Sequence, residues 1–190
     1  EDPSQLRCAL AGAALSSLAT VLQLALVIGA TDPAMLRRLA VPLAAMGSVA
    51  ALAGALLSRR QAAGDGLEAP RGRAFDPRQA LLFATVLAGM LVAVAALGRG
   101  FGAGGVRGAA VPAGFRGAPS AAASVAALAS GGSVTAAEAA VAIALAVSAN
   151  TATKLWAAAT GGRAYFARLA PTLVAMVAAL WLGLVFAHPA

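Results

Sequence analysis

The chain has 190 residues, 61% of them hydrophobic and 11% charged, with a mean hydropathy of +0.84. Soluble domains carry about 25% charged residues, so this chain has too few charges to cover a water-soluble fold. A single Cys (Cys8) and a single His (His188) exclude an internal disulfide, a structural zinc site and a histidine-based catalytic or metal cluster.

The net charge of +7 comes from Arg residues at the ends of apolar segments. That placement fits the flanks of membrane helices. It does not fit a basic patch interleaved with aromatics, so nucleic acid is not an expected partner. The expected partner is the lipid bilayer. Glu1-Asp2-Pro3 opens the chain without a Met, as expected of a processed or excised product, and no cleavable signal pattern is visible. Six apolar segments fill most of the length. The predicted fold is all-α: one transmembrane helical bundle over residues 1–190, with about five full spans and a broken or re-entrant Gly-rich segment.

Segment 1 runs from about Cys8 to Ala30. Ser16, Ser17, Thr20 and Gln23 form a polar stripe at i+3 and i+4 spacing, suited to facing another helix. Asp32 is the expected N-cap and Pro33 the first residue of segment 2, which runs from about Ala34 to Leu57. Pro42 is expected to kink it. Residues 58–79 form the longest polar loop, with five Arg against three acids, and face the cytoplasm by the positive-inside rule. Asp76-Pro77 repeats the cap-plus-proline start. Segment 3, from about Ala80 to Leu97, is almost wholly apolar.

Residues 98–117 are rich in Gly. Gly104–Ala113 is too short to span alone, and Ala118–Ala129 is a second short stretch of small residues. Together they make one broken helix or two half-helices that enter and return. Irregular backbone at membrane depth requires a protein or water environment, and broken helices build many transporter sites. If this segment re-enters, Arg163 and Arg168 fall on the cytoplasmic side, the better score for charge bias.

Thr135-Ala136-Ala137-Glu138 is a capping box that opens segment 5, which ends by Gly161. Its middle carries Ser148-Ala149-Asn150-Thr151-Ala152-Thr153-Lys154. Polar groups in hydrocarbon are costly, so each is a candidate functional residue. The candidate ligand or ion site is therefore Asn150, Thr151, Thr153 and Lys154 of segment 5, with Ser17, Thr20 and Gln23 of segment 1. A bland alternative for Lys154 is snorkelling to the interface. Segment 6 runs from about Leu169 to Ala187, with Pro171 near its start.

At an offset of 130 residues, Arg38-Leu39-Ala40, Leu43 and Ala45-Met46 match Arg168-Leu169-Ala170, Leu173 and Ala175-Met176. The same offset lays Thr20 over Asn150 and Gln23 over Thr153. A repeat would relate the first and last hairpins about a pseudo-twofold axis, parallel or inverted according to whether segment 4 crosses.

Four stretches resemble the domain of unknown function 4010, the C-terminal membrane domain of some MgtC/SapB-type proteins. They are Ala14-Leu15-Ser16-Ser17-Leu18-Ala19-Thr20-Val21-Leu22-Gln23, Arg73-Ala74-Phe75-Asp76-Pro77-Arg78-Gln79-Ala80, Ala122-Ala123-Ser124-Val125-Ala126-Ala127-Leu128, and Ser148 to Lys154 followed by Gly161-Gly162-Arg163. The resemblance implies a multi-pass protein of the bacterial inner membrane, often preceded by another membrane domain. It implies no chemistry. Where the family pattern carries an acid after Gly-Phe-Ala, near Gly114-Phe115-Arg116-Gly117, this chain has Gly117. An ion site built on that acid would be missing here.

Two functions fit. One is a transporter or channel-like module for a small ion or solute, with a polar site between segments 1, 4 and 5. The other is a structural or regulatory module that assembles with a partner membrane domain or as a homo-oligomer, its polar stripes acting as interhelical glue. An enzyme is not expected: no GxSxG, HExxH or phosphate-loop motif is present, and no cofactor is implied.

Overall fold

An α-helix rises about 1.5 Å per residue and a bilayer core is about 30 Å thick, so about 20 apolar residues cross it. In the computed structural model, four helices meet that requirement. The structure describes residues 3–59, 105–106, 108–115 and 117–187. Segment 3, nearly all of the 58–79 loop and His188 lie outside them.

The helices are α1 (Pro3–Thr31), α2 (Pro33–Arg59), α3 (Ala118–Ser130), α4 (Ala136–Thr160) and α5 (Arg163–Ala187). A further helical stretch over 108–115 precedes α3. No strand occurs among the described residues. The chain is an all-helical, multi-pass membrane protein.

The boundaries follow local chemistry. Asp32 caps α2: its Oδ1 accepts from the amides of Ala34 (2.9 Å) and Met35 (3.1 Å). Thr135 and Glu138 close the capping box of α4, with Thr135 N donating to Glu138 Oε2 (3.0 Å) and Glu138 N to Thr135 Oγ1 (3.3 Å). Gly162, at a φ of 105°, makes the turn into α5 in a conformation that favours glycine. α2 and α5 run as unbroken helix through Pro42 and Pro171. Pro42 is packing surface: a Cβ at Gly183 of α5 would lie 2.7 Å from Pro42 Cα. α5 begins six residues before the expected Leu169, because Arg163 to Arg168 continue the helix beyond its apolar span.

Helices in lipid gain little from the hydrophobic effect on association, so close contact of small residues holds them together. α3 illustrates this. Ala118, Ser120, Ala121, Ala122, Ser124 and Ala126 are buried, and α3 packs against both α1 and α4. Its first residue follows Gly117, whose backbone is extended, so the Gly-rich region is broken into two helical pieces at that point. A side chain at Gly114 would run into the backbone of Ala146 in α4.

Candidate functional site

In hydrocarbon a hydroxyl satisfies itself on its own helix where it can. Ser17 Oγ donates to Ala13 O (3.0 Å) and Thr20 Oγ1 to Ser16 O (2.9 Å). Their lone pairs then point outward from α1, and Lys154 of α4 uses them. Lys154 Nζ donates to Thr20 Oγ1 (3.2 Å) and to Ser17 Oγ (3.4 Å). Ser17 is buried at 1% exposure, and Lys154 is half-buried. Among the described residues no carboxylate pairs with this ammonium; the described acids are Asp32 and Glu138, each at a helix start.

A cleft of about 220 Å³ adjoins Lys154. Ala13, Ser16 and Ser17 line it from α1, and Ala157 and Ala158 from α4. Tyr165, Leu169 and Leu173 of α5 close the other side. Tyr165 also packs beside Gly161, so the cleft reaches from Lys154 to the level of the α4–α5 turn. An ammonium with three donors, two of them directed at hydroxyls, stands at the inner end of this space. That is chemistry for holding negative charge or a polar oxygen.

The remaining predicted site residues are distributed. Thr153 Oγ1 lies 3.2 Å from Phe115 O, tying α4 to the helical stretch before Gly117, and 3.2 Å from Ala149 O of its own helix. Thr151 is buried and donates to Val147 O (2.9 Å). Asn150 is half-buried, and its side chain makes no hydrogen bond among the described residues. Gln23 is exposed and does not reach the cleft. The structure therefore brings together Lys154, Ser17 and Thr20, while Thr153 faces the Gly-rich segment.

Two features lay outside the sequence reasoning. Tyr165 is the chain's single Tyr, and its place four residues after Gly161 was the available signal. Trp181 Nε1 donates to Ser148 Oγ (3.0 Å), joining α5 to α4. A lone indole opposite a mid-helix Ser carries no spacing signal, because the two sit on different helices.

With this geometry in place, comparison gives the family. The model for the domain of unknown function DUF4010 matches residues 1–162. The chain belongs to the DUF4010 family. Searches of curated proteins and of solved structures returned no match. The family match covers α1, α2, α3 and α4 and stops before α5, so Tyr165, Leu169 and Leu173 of the cleft lie beyond it.

Proposed function

We propose that this DUF4010 chain is a transport module of the bacterial inner membrane for a small anion, with Lys154 as the group that holds it. The carrying observation is a half-buried ammonium at the inner end of a cleft, supported by two neutral hydroxyls and by no carboxylate among the described residues. A charge is costly at membrane depth unless it is paired or reaches water. A solute anion entering the cleft would supply the missing counter-charge. Ser16, Ser17 and Tyr165 add hydroxyls along the way. No step of this reading needs covalent chemistry or a cofactor.

A second reading is favoured by the same hydrogen bonds. Lys154 to Thr20, Thr153 to Phe115 and Trp181 to Ser148 each join separate parts of the bundle. As interhelical glue they would serve a structural or regulatory module that assembles with a partner membrane domain.

Anion-dependent stability separates the two. The detergent-purified chain is melted in sodium gluconate and in sodium chloride, nitrate or phosphate of matched ionic strength, alongside Lys154→Met. A ligand that binds only the folded state raises Tm with its concentration. A rise with at least one small anion that disappears in Lys154→Met supports the transport site. No anion-dependent rise, or an equal rise in the variant, leaves the packing module.

A further inference from the structure

The 130-residue echo in sequence has a counterpart in burial. On α1 the inward positions include Leu10, Ala14, Ser17, Val21 and Ile28. The residues 130 positions later, Ala140, Ala144, Val147, Thr151 and Ala158 of α4, are all buried too. On α2 the buried Leu39, Leu43, Met46 and Ala50 correspond to the buried Leu169, Leu173, Met176 and Leu180 of α5. Pro33 and Arg163, the first residues of α2 and α5, are separated by the same offset.

The contacts give the orientation. The N-terminal half of α1 (Ala13, Ser17) shares the cleft with the C-terminal half of α4 (Lys154, Ala158). Pro42, near the start of α2, packs on Gly183, near the end of α5. Parallel copies would instead bring Ala13 beside Ile143 and Pro42 beside Thr172. Both pairs of equivalent helices are thus antiparallel.

We infer that α1–α2 and α4–α5 are two copies of one hairpin in inverted orientation, and that the Lys154 cleft has a mate on the opposite face that is packed shut. Applying the offset to the cleft lining gives Val27 and Ile28 for Ala157 and Ala158, Ala146 for Ser16, and Leu39 and Leu43 for Leu169 and Leu173. Ser16 and Ala157 are exposed, whereas Ala146 is buried and Val27 half-buried. Ile28 and its equivalent Ala158 are both buried, so the asymmetry lies in the other two pairs. One half is open and its equivalent closed, the asymmetry by which inverted repeats give alternating access. Exchange of conformation between the two hairpins opens the mate and closes the Lys154 cleft. The exchange rests on the transport reading; the inverted topology does not.

The topology has two consequences. α2 ends on the face where α1 begins, and α4 begins on the other, so the chain between them changes face once in net. The end of α2, Arg163 and Arg168 then share one face with the open cleft, and by the positive-inside rule that face is cytoplasmic.

Single cysteines on a Cys8→Ser background test both parts, with gel filtration confirming folded protein. Ala34→Cys and Thr160→Cys, both at exposed positions beside the two hairpin turns, are labelled with a membrane-impermeant maleimide in spheroplasts and in inverted vesicles. Ala34→Cys should react from outside and Thr160→Cys from the cytoplasmic side. Reaction of both from one face overturns the inverted repeat. For the exchange, the Lys154 cleft is locked shut by cross-linking Ser16→Cys to Ala157→Cys across it after blocking any residual thiols. An Ala146→Cys carried in the same protein, the buried equivalent of the exposed Ser16 and protected by burial during blocking, should then react several-fold faster, from outside. An Ala146→Cys that stays unreactive in the locked protein overturns the exchange. Loss of the anion response without loss of these labelling patterns overturns only the transport reading.

Discussion

Where α1 buries Val21, Leu24 and Ile28, α4 places Thr151, Lys154 and Ala158 at the equivalent positions. Where α4 has Val147 and Asn150, α1 has Ser17 and Thr20. α1 and α4 share inward positions while differing at most residues, and the polar differences at these positions set the two apart. In lipid, shape and small-residue contact hold helices together, so the shared frame accepts Leu, Thr or Lys at one place provided that polar groups find partners. The difference locates the chemistry: α4 carries the ammonium, α1 carries the two hydroxyls that receive it, and an open cleft adjoins them.

The strongest way to break the comparison is to place the charge in the other copy. Leu24→Lys puts an ammonium at the 0%-exposed equivalent of Lys154, where the offset gives Val147 and Asn150 in place of the hydroxyls of Ser17 and Thr20. The expected loss is about 3 kcal/mol, the order of the insertion cost for a central Lys, read as a large fall in Tm or in folded yield. Adding Val147→Ser should recover part of it. Next comes the contact between the copies. Gly183→Leu drives a side chain into Pro42 and should cost about 1–3 kcal/mol, while Gly12→Ala, inside α1 with nothing near its added Cβ, should hold or raise Tm, as Ala favours a helix over Gly.

Much of the fold was legible because its signals are local. Asp32-Pro33 and the Thr135–Glu138 box fix two helix starts by hydrogen bonds within four residues, and the apolar runs are long enough to span. α2 continues as helix through Pro42, and the residue it packs against, Gly183, lies 141 positions later in the chain, a partner that no local pattern names. The site was legible only in part. Ser17, Thr20 and Lys154 meet, but Gln23 does not join them. Each i+3 step falls about 60° short of a full turn at 3.6 residues per turn, so a stripe continued from Ser17 through Thr20 to Gln23 drifts off the face. Thr153 lies about 100° from Lys154 for the same reason and meets Phe115 instead. The depth of the cleft depends on Tyr165 and Leu169, whose approach is set by the Gly161–Gly162 turn rather than by periodicity.

Smaller effects sharpen the comparison. Asp32→Ala and Thr135→Ala remove the caps that open α2 and α4, and each should cost about 1 kcal/mol, measurable by thermal or denaturant melting. Lys154→Met keeps the stem and removes the charge. Because Ser17 and Thr20 remain bonded within α1, its stability should change by about 0.6 kcal/mol, the average for hydrogen bonds between membrane helices. Gln23→Leu, at an exposed position, should change stability by less than about 0.5 kcal/mol and leave the anion response intact.

The most direct test of Lys154 as a transport group is flux. The purified chain is reconstituted into liposomes loaded with the sodium salt of the anion that stabilises it, and efflux is compared among the chain, Lys154→Met and protein-free liposomes. Efflux above the protein-free rate that is lost in Lys154→Met, with the variant folded and inserted to the same extent, is the predicted result. Equal efflux from the chain and the variant, or none above the protein-free rate, would contradict it.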